Sequence, residues 1–354
     1  MHVTEAMGGG VQSAIARLMS LIPEADTVAL VRPRSGESSY VMPTGVDVRR
    51  FDGPLAPFLL WVRRNISVIR PDVVHFHSSL AGLGRLLVPK GAHVVYSPHC
   101  FAFERTDIGR AQRAAYVWAE RLLSRQTDAF VAVSPHEASL CTALGGPAEV
   151  HFVPNVVVAP GNTATAQTDR VVMVGRIGHQ KLPRLFADIA SRVGDRSQFV
   201  WIGDGDTDDR KYLRDAGVDV TGWLSKEDVA RQLESATLYL HTAAWESAPM
   251  SIAEAAASGV PVICRNLPAL DSLGYPLGGI EVGDLAESVV RFLDEPSYRE
   301  GIKSATRSAA LRYTESDARL RLVAAYNITD LDLASHPVDK GPVDEAPPFK
   351  DVLR

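Results

Sequence analysis

The sequence has few cysteines and no long apolar run. Its three cysteines, Cys100, Cys141 and Cys264, form no CxxC pair and no even set, which excludes a disulfide framework and fits a reducing cytosol. The longest apolar run, 55–62, contains Pro57 and is far shorter than the ~20 residues that span a bilayer. No basic and apolar leader precedes the first strand-like run. We therefore expect a cytoplasmic protein.

Strong net charge and a dinucleotide fingerprint are also missing. The chain carries 37 basic and 42 acidic side chains, a formal net charge of -5, so bulk electrostatics do not favour a nucleic-acid partner. The glycines at 8–10 do not follow the GxGxxG spacing, and no acidic residue stands about 20 positions later at a strand end, which disfavours an NAD site. A length of 354 residues favours two domains.

What the sequence does contain is a repeated alternation of short apolar runs and helical periods. Continuous apolar runs of this length predict strands buried on both faces of a parallel sheet. The alternation predicts doubly wound α/β sheets with right-handed crossovers. The predicted strands are Val73–His77, Val94–Ser97, Ala129–Val133, His151–Val153, Val171–Val174, Phe199–Ile202, Val218–Thr221, Leu238–Thr242 and Val260–Cys264.

Capping residues and apolar spacing predict the helices between these strands. Ser134, Pro135 and Glu137 have the pattern of an N-cap, a first-turn proline and an N3 acid, with glycines at 145–146 ending the helix. Ser225 is predicted to cap another helix, with Asp228 three residues later. A single apolar stripe is formed by Leu182, Phe186, Ile189 and Val193.

A change of composition divides the chain. We predict an N-terminal Rossmann-like domain over 1–155, a linker over 156–169 that is rich in small polar residues, and a C-terminal Rossmann-like domain over 170–329. The final helix of the second domain is free to pack back on the first. Residues 330–354 are rich in proline and aspartate and predict a flexible tail. Because open α/β sheets bind ligands beyond the carboxyl ends of their strands, two such domains predict an interdomain cleft.

Two carboxylates in the second half, Glu246 and Glu254, indicate the chemistry. They flank a predicted helix N-terminus, whose unpaired N–H groups and positive dipole favour an anion. A nucleotide-sugar fits this pattern, because its diphosphate would meet the helix end and its hydroxyls would donate to the carboxylates. The alternative is an amphipathic helix with Glu254 merely solvated.

Arg176 and Lys181 lie five residues apart in the loop after the predicted strand Val171–Val174. A guanidinium and an ammonium at this spacing can reach one anion from two sides. Two solvated basic residues in a loop are the alternative.

Two segments of the first half follow predicted strands. The glycines at 8–10 let backbone N–H groups approach a ligand, with a tight turn as the alternative. His99 ends a strand and can contact a hydroxyl, or it has a structural role. His75 and His77 point to one face of their strand, so a metal pair is conceivable, but the sequence shows no third ligand.

Asp204 and Asp206 raise a second possibility of a metal. Two aspartates after a strand can hold Mg²⁺ or Mn²⁺ against a diphosphate. We favour a turn at Gly203–Gly205 near the nucleotide, because Arg176 and Lys181 already supply positive charge.

A basic and aromatic segment predicts either membrane contact or a helix with one solvated basic side. Such a helix can lie on an anionic membrane surface. The segment interleaves Arg110, Arg113, Arg121 and Arg125 with Tyr116, Trp118, Leu122 and Leu123.

Together these motifs resemble the retaining GT-B glycosyltransferases of the large family 4 group, over about residues 1–325. The strongest matches are Gly175-Arg176-x4-Lys181 and Glu246-x7-Glu254; the segment 75–82 is most similar to bacterial enzymes that build surface polysaccharides. The resemblance implies a metal-independent hexosyl- or glycosyltransferase with no cofactor. Its donor would be a UDP- or GDP-sugar, and its acceptor a glycan, a lipid-linked molecule or a small molecule. Peripheral contact with the inner face of the cell membrane is possible.

The resemblance also implies roles for particular residues. Arg176 and Lys181 would neutralise the leaving diphosphate, Glu254 would hold the ribose hydroxyls, and Glu246 would hold the transferred sugar and favour its cationic transition state. His99 would contact the donor sugar near the reacting carbon. The backbone groups implied near the phosphates and sugar belong to Gly9, Gly10, Gly203, Ser247, Ala248, Met250 and Ser251.

The sequence departs from the family pattern after Glu246. Ser247-Ala248-Pro249 replaces the usual Gly-Phe-Gly, and Pro249 removes one N–H donor. Asn155-Val156-Val157 likewise shortens the usual Asn-Gly-Val-Asp. Two other functions stay open: a nucleotide-sugar epimerase of the same fold, and a catalytically silent protein that binds nucleotide-sugar.

Overall fold

The computed structural model describes residues 1–5, 7–33, 42–157 and 169–328. Within these ranges the chain divides into two compact units. One comprises residues 1–155 together with the segment from Thr314 onwards, and the other comprises Val156–Tyr313. Most of the predicted linker and all of the predicted tail lie outside the described residues.

The first unit is built on a parallel sheet of seven strands, in the spatial order β3-β2-β1-β4-β5-β6-β7. Each pair of neighbours is parallel. The strands are β1 (His2–Thr4), β2 (Val28–Val31), β3 (Asp47–Arg50), β4 (Val73–His77), β5 (His93–Ser97), β6 (Ala129–Ala132) and β7 (Glu149–Phe152).

The second unit has a parallel six-stranded sheet in the order β10-β9-β8-β11-β12-β13. Both sheets have the doubly wound topology, which confirms the predicted α/β fold class. The strands are β8 (Arg170–Val174), β9 (Gln198–Ile202), β10 (Asp219–Val220), β11 (Leu238–His241), β12 (Val262–Arg265) and β13 (Leu277–Gly279).

Helices connect these strands as the alternation predicts. In chain order they are α1 (Gly9–Ser20), α2 (Leu55–Ile69), α3 (Ser79–Gly82), α4 (Arg110–Leu123), α5 (Pro135–Leu144), α6 (Pro183–Val193), α7 (Thr207–Asp215), α8 (Lys226–Glu234), α9 (Met250–Ala257), α10 (Pro268–Ser272), α11 (Val282–Asp294), α12 (Pro296–Leu311) and α13 (Glu315–Ala325). Helix α13 is grouped with the first unit.

The predicted N-caps are confirmed, and one helix start is corrected. The Ser134 side chain accepts a hydrogen bond from the backbone N–H of Glu137, and the Ser225 side chain accepts one from that of Asp228. Leu182, predicted as the first residue of an apolar stripe, lies outside α6 in a left-handed conformation with φ 49°. The helix begins at Pro183 because proline favours the first helical position, while the residue before a proline avoids the α region.

Aromatic packing anchors the second unit close to its strand ends. Phe186 of α6 packs edge-on against Phe199 and Trp201, with ring centroids 5.4 Å apart in both pairs. Such pairs contribute roughly 0.5–1.5 kcal/mol each beyond the area that they bury. The indole Nε1 of Trp201 also donates to the carbonyl of Gly175, at 2.9 Å. The core therefore holds the loop that follows β8.

The order of the strands determines where a ligand can bind. The direction of winding reverses between β1 and β4 in the first sheet and between β8 and β11 in the second. Ligands of doubly wound sheets bind at such switch points, beyond the carboxyl ends of the strands. The loops after β8 and β11 carry Arg176, Lys181 and Glu246, so the predicted charged residues of the second half lie at its switch point.

Candidate active site

Three hydrogen bonds join the loops that follow β8 and β11. The Thr242 hydroxyl donates to the carbonyl of Lys181 at 2.8 Å, and the Ala244 N–H donates to the carbonyl of Gln180 at 2.8 Å. The Gln180 side-chain amide donates to the carbonyl of Trp245 at 3.0 Å. These bonds fix the two loops against each other, and the charged side chains of both loops meet as a result.

The charged centre is an ion pair between Lys181 and Glu246. Lys181 Nζ lies 2.5 Å from Glu246 Oε1, and the two side chains are only 17% and 9% exposed. Burial alone would raise the pKa of Glu246, but the Lys181 ammonium and the neighbouring His241 lower this pKa to about 2. Glu246 is therefore a permanent anion at neutral pH, held in a largely dehydrated place.

His241 is a member of this centre that the sequence analysis did not assign. It ends β11 fully buried, and its Nε2 lies 3.5 Å from Glu246 Oε1. Its Nδ1 faces the hydroxyl of Tyr239 at 3.4 Å, and that hydroxyl donates to Ser251 at 2.9 Å. The only signal in the sequence was a histidine at the end of an apolar run.

Close backbone contacts explain the glycines in the neighbouring loop. A Cβ at Gly203 would lie 2.2 Å from the carbonyl oxygen of Gly175, and one at Gly205 would lie 2.1 Å from that of Ile177. Both glycines have positive φ, 140° and 157°. Gly203 thus lets the ends of β8 and β9 approach each other, which agrees with the predicted turn.

The two aspartates of this turn have structural partners. Asp204 binds the guanidinium of Arg210, with its two carboxylate oxygens 2.9 and 3.1 Å from Arg210 Nη1. Asp206 caps helix α7 by accepting from the backbone N–H groups of Asp208 and Asp209. These contacts favour the turn over a metal pair.

Helix α9 begins directly after the loop that follows β11, with Pro249 as its N-cap. Because the first N–H groups of a helix have no partner within the helix, those of Met250 and Ser251 are available to an anion. Ser247 is buried, and its hydroxyl has no hydrogen-bond partner among the described residues. A polar ligand would satisfy these donors.

Arg176 and Glu254 lie in the same unit without direct partners. Neither the exposed side chain of Arg176 nor the half-buried side chain of Glu254 makes a hydrogen bond or an ion pair with another described residue. Burial raises the pKa of Glu254, against the attraction of Lys226. Unlike Lys181 and Glu246, these two side chains are not brought together by the protein itself.

In the first unit, the predicted ligand loops follow β1 and β5. Gly9 and Gly10 are exposed and begin α1, and Gly9 has φ 61°. His99 and Cys100 both have positive φ, 51° and 82°. The Cys100 N–H donates to the buried carboxylate of Glu137 at 2.7 Å. Consecutive non-glycine residues in this conformation are strained and occur mostly at functional sites.

The sequence shows no third ligand beside His75 and His77, and the structure supplies a third histidine. His2 of β1 pairs with the β4 strand, and the three buried rings have nitrogens within 4.8 Å of one another. The sequence could not identify His2 because the pairing of β1 with β4 is a long-range contact.

Two family models match the chain. The glycosyl transferase 4-like domain matches residues 9–156, and the glycosyl transferases group 1 domain matches residues 168–295. The chain belongs to the GT-B glycosyltransferases of the family 4 group. The predicted family is thereby confirmed, and the two matches fall on the two sheets.

Two relatives of this glycosyltransferase are bacterial proteins. An uncharacterised 41.2 kDa protein in the cps region of Klebsiella pneumoniae is 25% identical over 346 residues, 90% of this chain and 96% of that protein. A UDP-Gal:alpha-D-GlcNAc-diphosphoundecaprenol alpha-1,3-galactosyltransferase of Escherichia coli is 25% identical over 288 residues, 73% of this chain and 72% of that protein.

A solved structure confirms the GT-B fold of this glycosyltransferase. The Anabaena protein HepE, crystallised with UDP and glucose, has a TM-score of 0.73 at 14% identity. The match covers 93% of this chain and 99% of HepE.

The basic helix of this glycosyltransferase has one buried and one exposed face. Val117 and Leu123 of α4 pack into the core, while Trp118 and Leu122 are 68% and 41% exposed. Arg121 lies on the exposed side between them. Among the described residues, no helix combines the length and the apolarity needed to cross a bilayer.

Proposed function

We propose that this glycosyltransferase moves a sugar from a UDP- or GDP-linked donor to a glycan, lipid-linked or small-molecule acceptor, with retention of anomeric configuration and without a metal ion. The observation that carries the proposal is the largely buried pair of Lys181 and Glu246 at the switch point of the second sheet. A cation and an anion locked together there provide one group for a leaving phosphate and one for a sugar.

Three sources of positive potential support binding of a diphosphate. Arg176 has no anionic partner among the described residues, Lys181 lies at the loop junction, and α9 presents its N-terminus. A diphosphate would draw Lys181 partly away from Glu246 and gain charge-assisted hydrogen bonds. Glu254, in the second turn of α9, would accept hydrogen bonds from the ribose hydroxyls.

The transfer step follows from this charge arrangement. The bond between the anomeric carbon and the phosphate oxygen breaks, and the leaving diphosphate is stabilised by Arg176, Lys181 and the helix end. The acceptor oxygen attacks the same face, so the configuration is retained, and its proton passes to the leaving phosphate. Glu246, ionised at neutral pH, stabilises the positive charge that develops on the sugar.

Metal independence is supported by the partners of the aspartates. Asp204 is held by Arg210, and Asp206 caps α7. Binding a divalent cation there would break the ion pair and the cap, whereas Arg176 and Lys181 can neutralise a diphosphate without that cost.

The named relatives support either a UDP- or a GDP-linked donor and, in one case, a lipid-linked glycan acceptor. The Escherichia coli relative is named for UDP-Gal and a diphosphoundecaprenol acceptor, and HepE binds UDP. His99, Gly9 and Gly10 are proposed to contact the substrates from the first unit.

Contact with an anionic membrane surface would bring a lipid-linked acceptor to the enzyme. We propose that the exposed face of α4 makes this contact, because it joins Trp118 and Leu122 to Arg121. Such a face attracts anionic headgroups and buries an aromatic ring at the interface.

A thermal-shift screen against UDP, GDP, ADP and dTDP, followed by transfer assays, tests the proposal. We expect UDP or GDP to raise the melting temperature, since a ligand at 100 times its Kd adds about 2.7 kcal/mol to the stability of the folded state. The donor sugar should then appear on a membrane-derived acceptor with EDTA present. Conversion of UDP-GlcNAc to a new nucleotide-sugar without acceptor would favour an epimerase instead. Donor binding with no transfer to any acceptor would indicate a silent binding protein.

A further inference from the structure

Three imidazole rings of the first unit form one hydrogen-bonded chain. His2 Nδ1 lies 2.9 Å from His77 Nε2, and His77 Nδ1 lies 3.0 Å from His99 Nε2. The rings are nearly parallel, at 5° and 18°, with centroids 5.1 and 5.3 Å apart. Since the bonded nitrogens are much closer than the centroids, the rings meet end to end rather than face to face.

The three rings of this hydrogen-bonded chain are neutral at neutral pH. Burial lowers the pKa of His2 and of His77 well below the ordinary value, and it lowers the pKa of His99 to about 4. A neutral imidazole has one N–H donor and one nitrogen acceptor. Each ring that donates at one nitrogen therefore accepts at the other, and the protons of all three rings point in the same direction along the chain.

The hydrogen-bonded chain of rings ends at the strained loop that follows β5. Its outermost ring, His99, uses Nε2 to bind His77, and its Nδ1 makes no hydrogen bond within the described ranges. If the protons point outward, Nδ1 donates to a ligand; if they point inward, Nδ1 accepts from one. The state of His2, two rings away, thus decides which bond His99 can form.

His75 lies beside these three rings but is not hydrogen-bonded to any of them. The Ser97 hydroxyl donates to the carbonyl of Val131, so it accepts from His75 Nε2 at 2.8 Å. His75 Nδ1 must then accept from the hydroxyl of Tyr326, also at 2.8 Å. The tautomer of His75 is fixed by these two partners, although its ring centroid is 4.0 Å from that of His77.

We propose that His77 and His2 are positioning residues for His99, and that the three rings change tautomer together when a substrate hydroxyl binds His99 Nδ1. This inference rests on the proposed function, because it takes the ligand of His99 to be a sugar or an acceptor hydroxyl. Either kind of hydroxyl can be satisfied, since the chain allows His99 to donate or to accept.

The test combines ¹⁵N spectra of histidine-labelled full-length protein with steady-state kinetics. Breaking the far end by His2→Phe should shift both ring nitrogens of His99, although His2 does not touch it. His75→Gln is the matched control, and it should leave the His99 signals in place. If His2 had only a structural role, His2→Phe and His75→Gln would shift the His99 signals to a similar extent. Unchanged His99 signals in His2→Phe would overturn the proposal.

Kinetics test the link to His99. His77→Phe should lower kcat/KM by roughly ten- to hundredfold, the size expected when a contacting group is misplaced. His77→Asn keeps a polar atom at the position of Nδ1 and should recover most of this loss. Equal losses in both variants would contradict a positioning role.

Two further outcomes separate this inference from the proposed function. If the wild-type protein transfers no sugar, the proposed function fails, but the spectra still report whether the rings are coupled. If one equivalent of Zn²⁺ shifts the signals of His2, His75 and His77 together, the chain is overturned in favour of a metal centre.

Discussion

Lys181 and Glu246 are the basic and acidic members of an ion pair whose atoms lie 2.5 Å apart and whose side chains are mostly buried. Their loops are bound to each other through the Thr242 hydroxyl and the Gln180 backbone and side chain. Removing either charge leaves the other without its partner in a poorly hydrated place, which is costly. A substitution in this pair is therefore expected to affect both the stability of the protein and its catalysis.

Neutralising either member should abolish most activity. We expect Lys181→Ala and Glu246→Gln each to reduce kcat by roughly a hundredfold or more, because each removes charge that stabilises the transition state. Transfer assays with the donor identified by thermal shift, together with circular dichroism to confirm folding, measure this. Lys211→Ala is the matched control, since that exposed lysine pairs with Asp215 on α7. Near-wild-type rates in both active-site variants would refute the assigned roles.

The same pair should make stability depend on acid pH. The pKa of Glu246 is lowered from 4.5 to about 2 in the folded state, so its contribution is present above the unfolded pKa and is lost as the pH falls through the folded one. Glu246→Gln cannot titrate. The difference in unfolding free energy between wild type and Glu246→Gln should shrink by roughly 2–3 kcal/mol between about pH 5 and pH 2. Urea unfolding across this range measures it, and a constant difference would argue against the ion pair.

Much of the fold and of the second-unit site could be predicted because the signals are local. Buried parallel strands are continuous apolar runs, and polar residues directly after them must lie at the sheet edge. Arg176, Lys181 and Glu246 follow β8 and β11 in this way. Local pattern does not show that these two strands are neighbours at a switch point, since this is a property of the fold. The resemblance to a family implied only that the three residues act on one donor.

What the sequence could not predict depends on long-range pairing or on very short elements. His2 joins His77 only because β1 pairs with β4. His241 looked like one more residue of an apolar run, since its contact with Glu246 is set by the loop that follows. Strands β2, β3 and β13 are only three or four residues long, too short for a clear period. Each of these is a property of tertiary context rather than of local pattern.

Adding one methyl group at Gly203 should disturb the loop that follows β9. The new Cβ would meet the carbonyl oxygen of Gly175 at 2.2 Å, and the backbone there has positive φ. Gly217→Ala is the control, because Gly217 has φ 79° but nothing within 4 Å of the added atom. We expect Gly217→Ala to cost about 1 kcal/mol. Gly203→Ala should cost more and also raise the KM for the donor. Equal stability losses in the two variants and an unchanged KM would show that close contact between the loops after β8 and β9 is not required.

Replacing Trp118 should weaken binding to anionic membranes. Its ring is 68% exposed on α4, so Trp118→Ala removes apolar area that can enter the interface while leaving the buried side of the helix intact. We expect less cosedimentation with vesicles containing phosphatidylglycerol, and a further decrease when Arg121→Gln is added or the salt concentration is raised. Transfer to a small soluble acceptor should be unchanged.

The matched control for this experiment is Trp223→Ala in the second unit, where the ring is 64% exposed. If both tryptophan variants lose vesicle binding equally, the effect is general hydrophobicity and not α4. If the wild-type protein does not sediment with anionic vesicles at low salt, the proposed membrane contact of α4 is wrong. Selective loss in Trp118→Ala, with binding that falls as salt screens the arginines, would identify α4 as the membrane-contacting surface, because its exposed face combines an aromatic ring with basic charge.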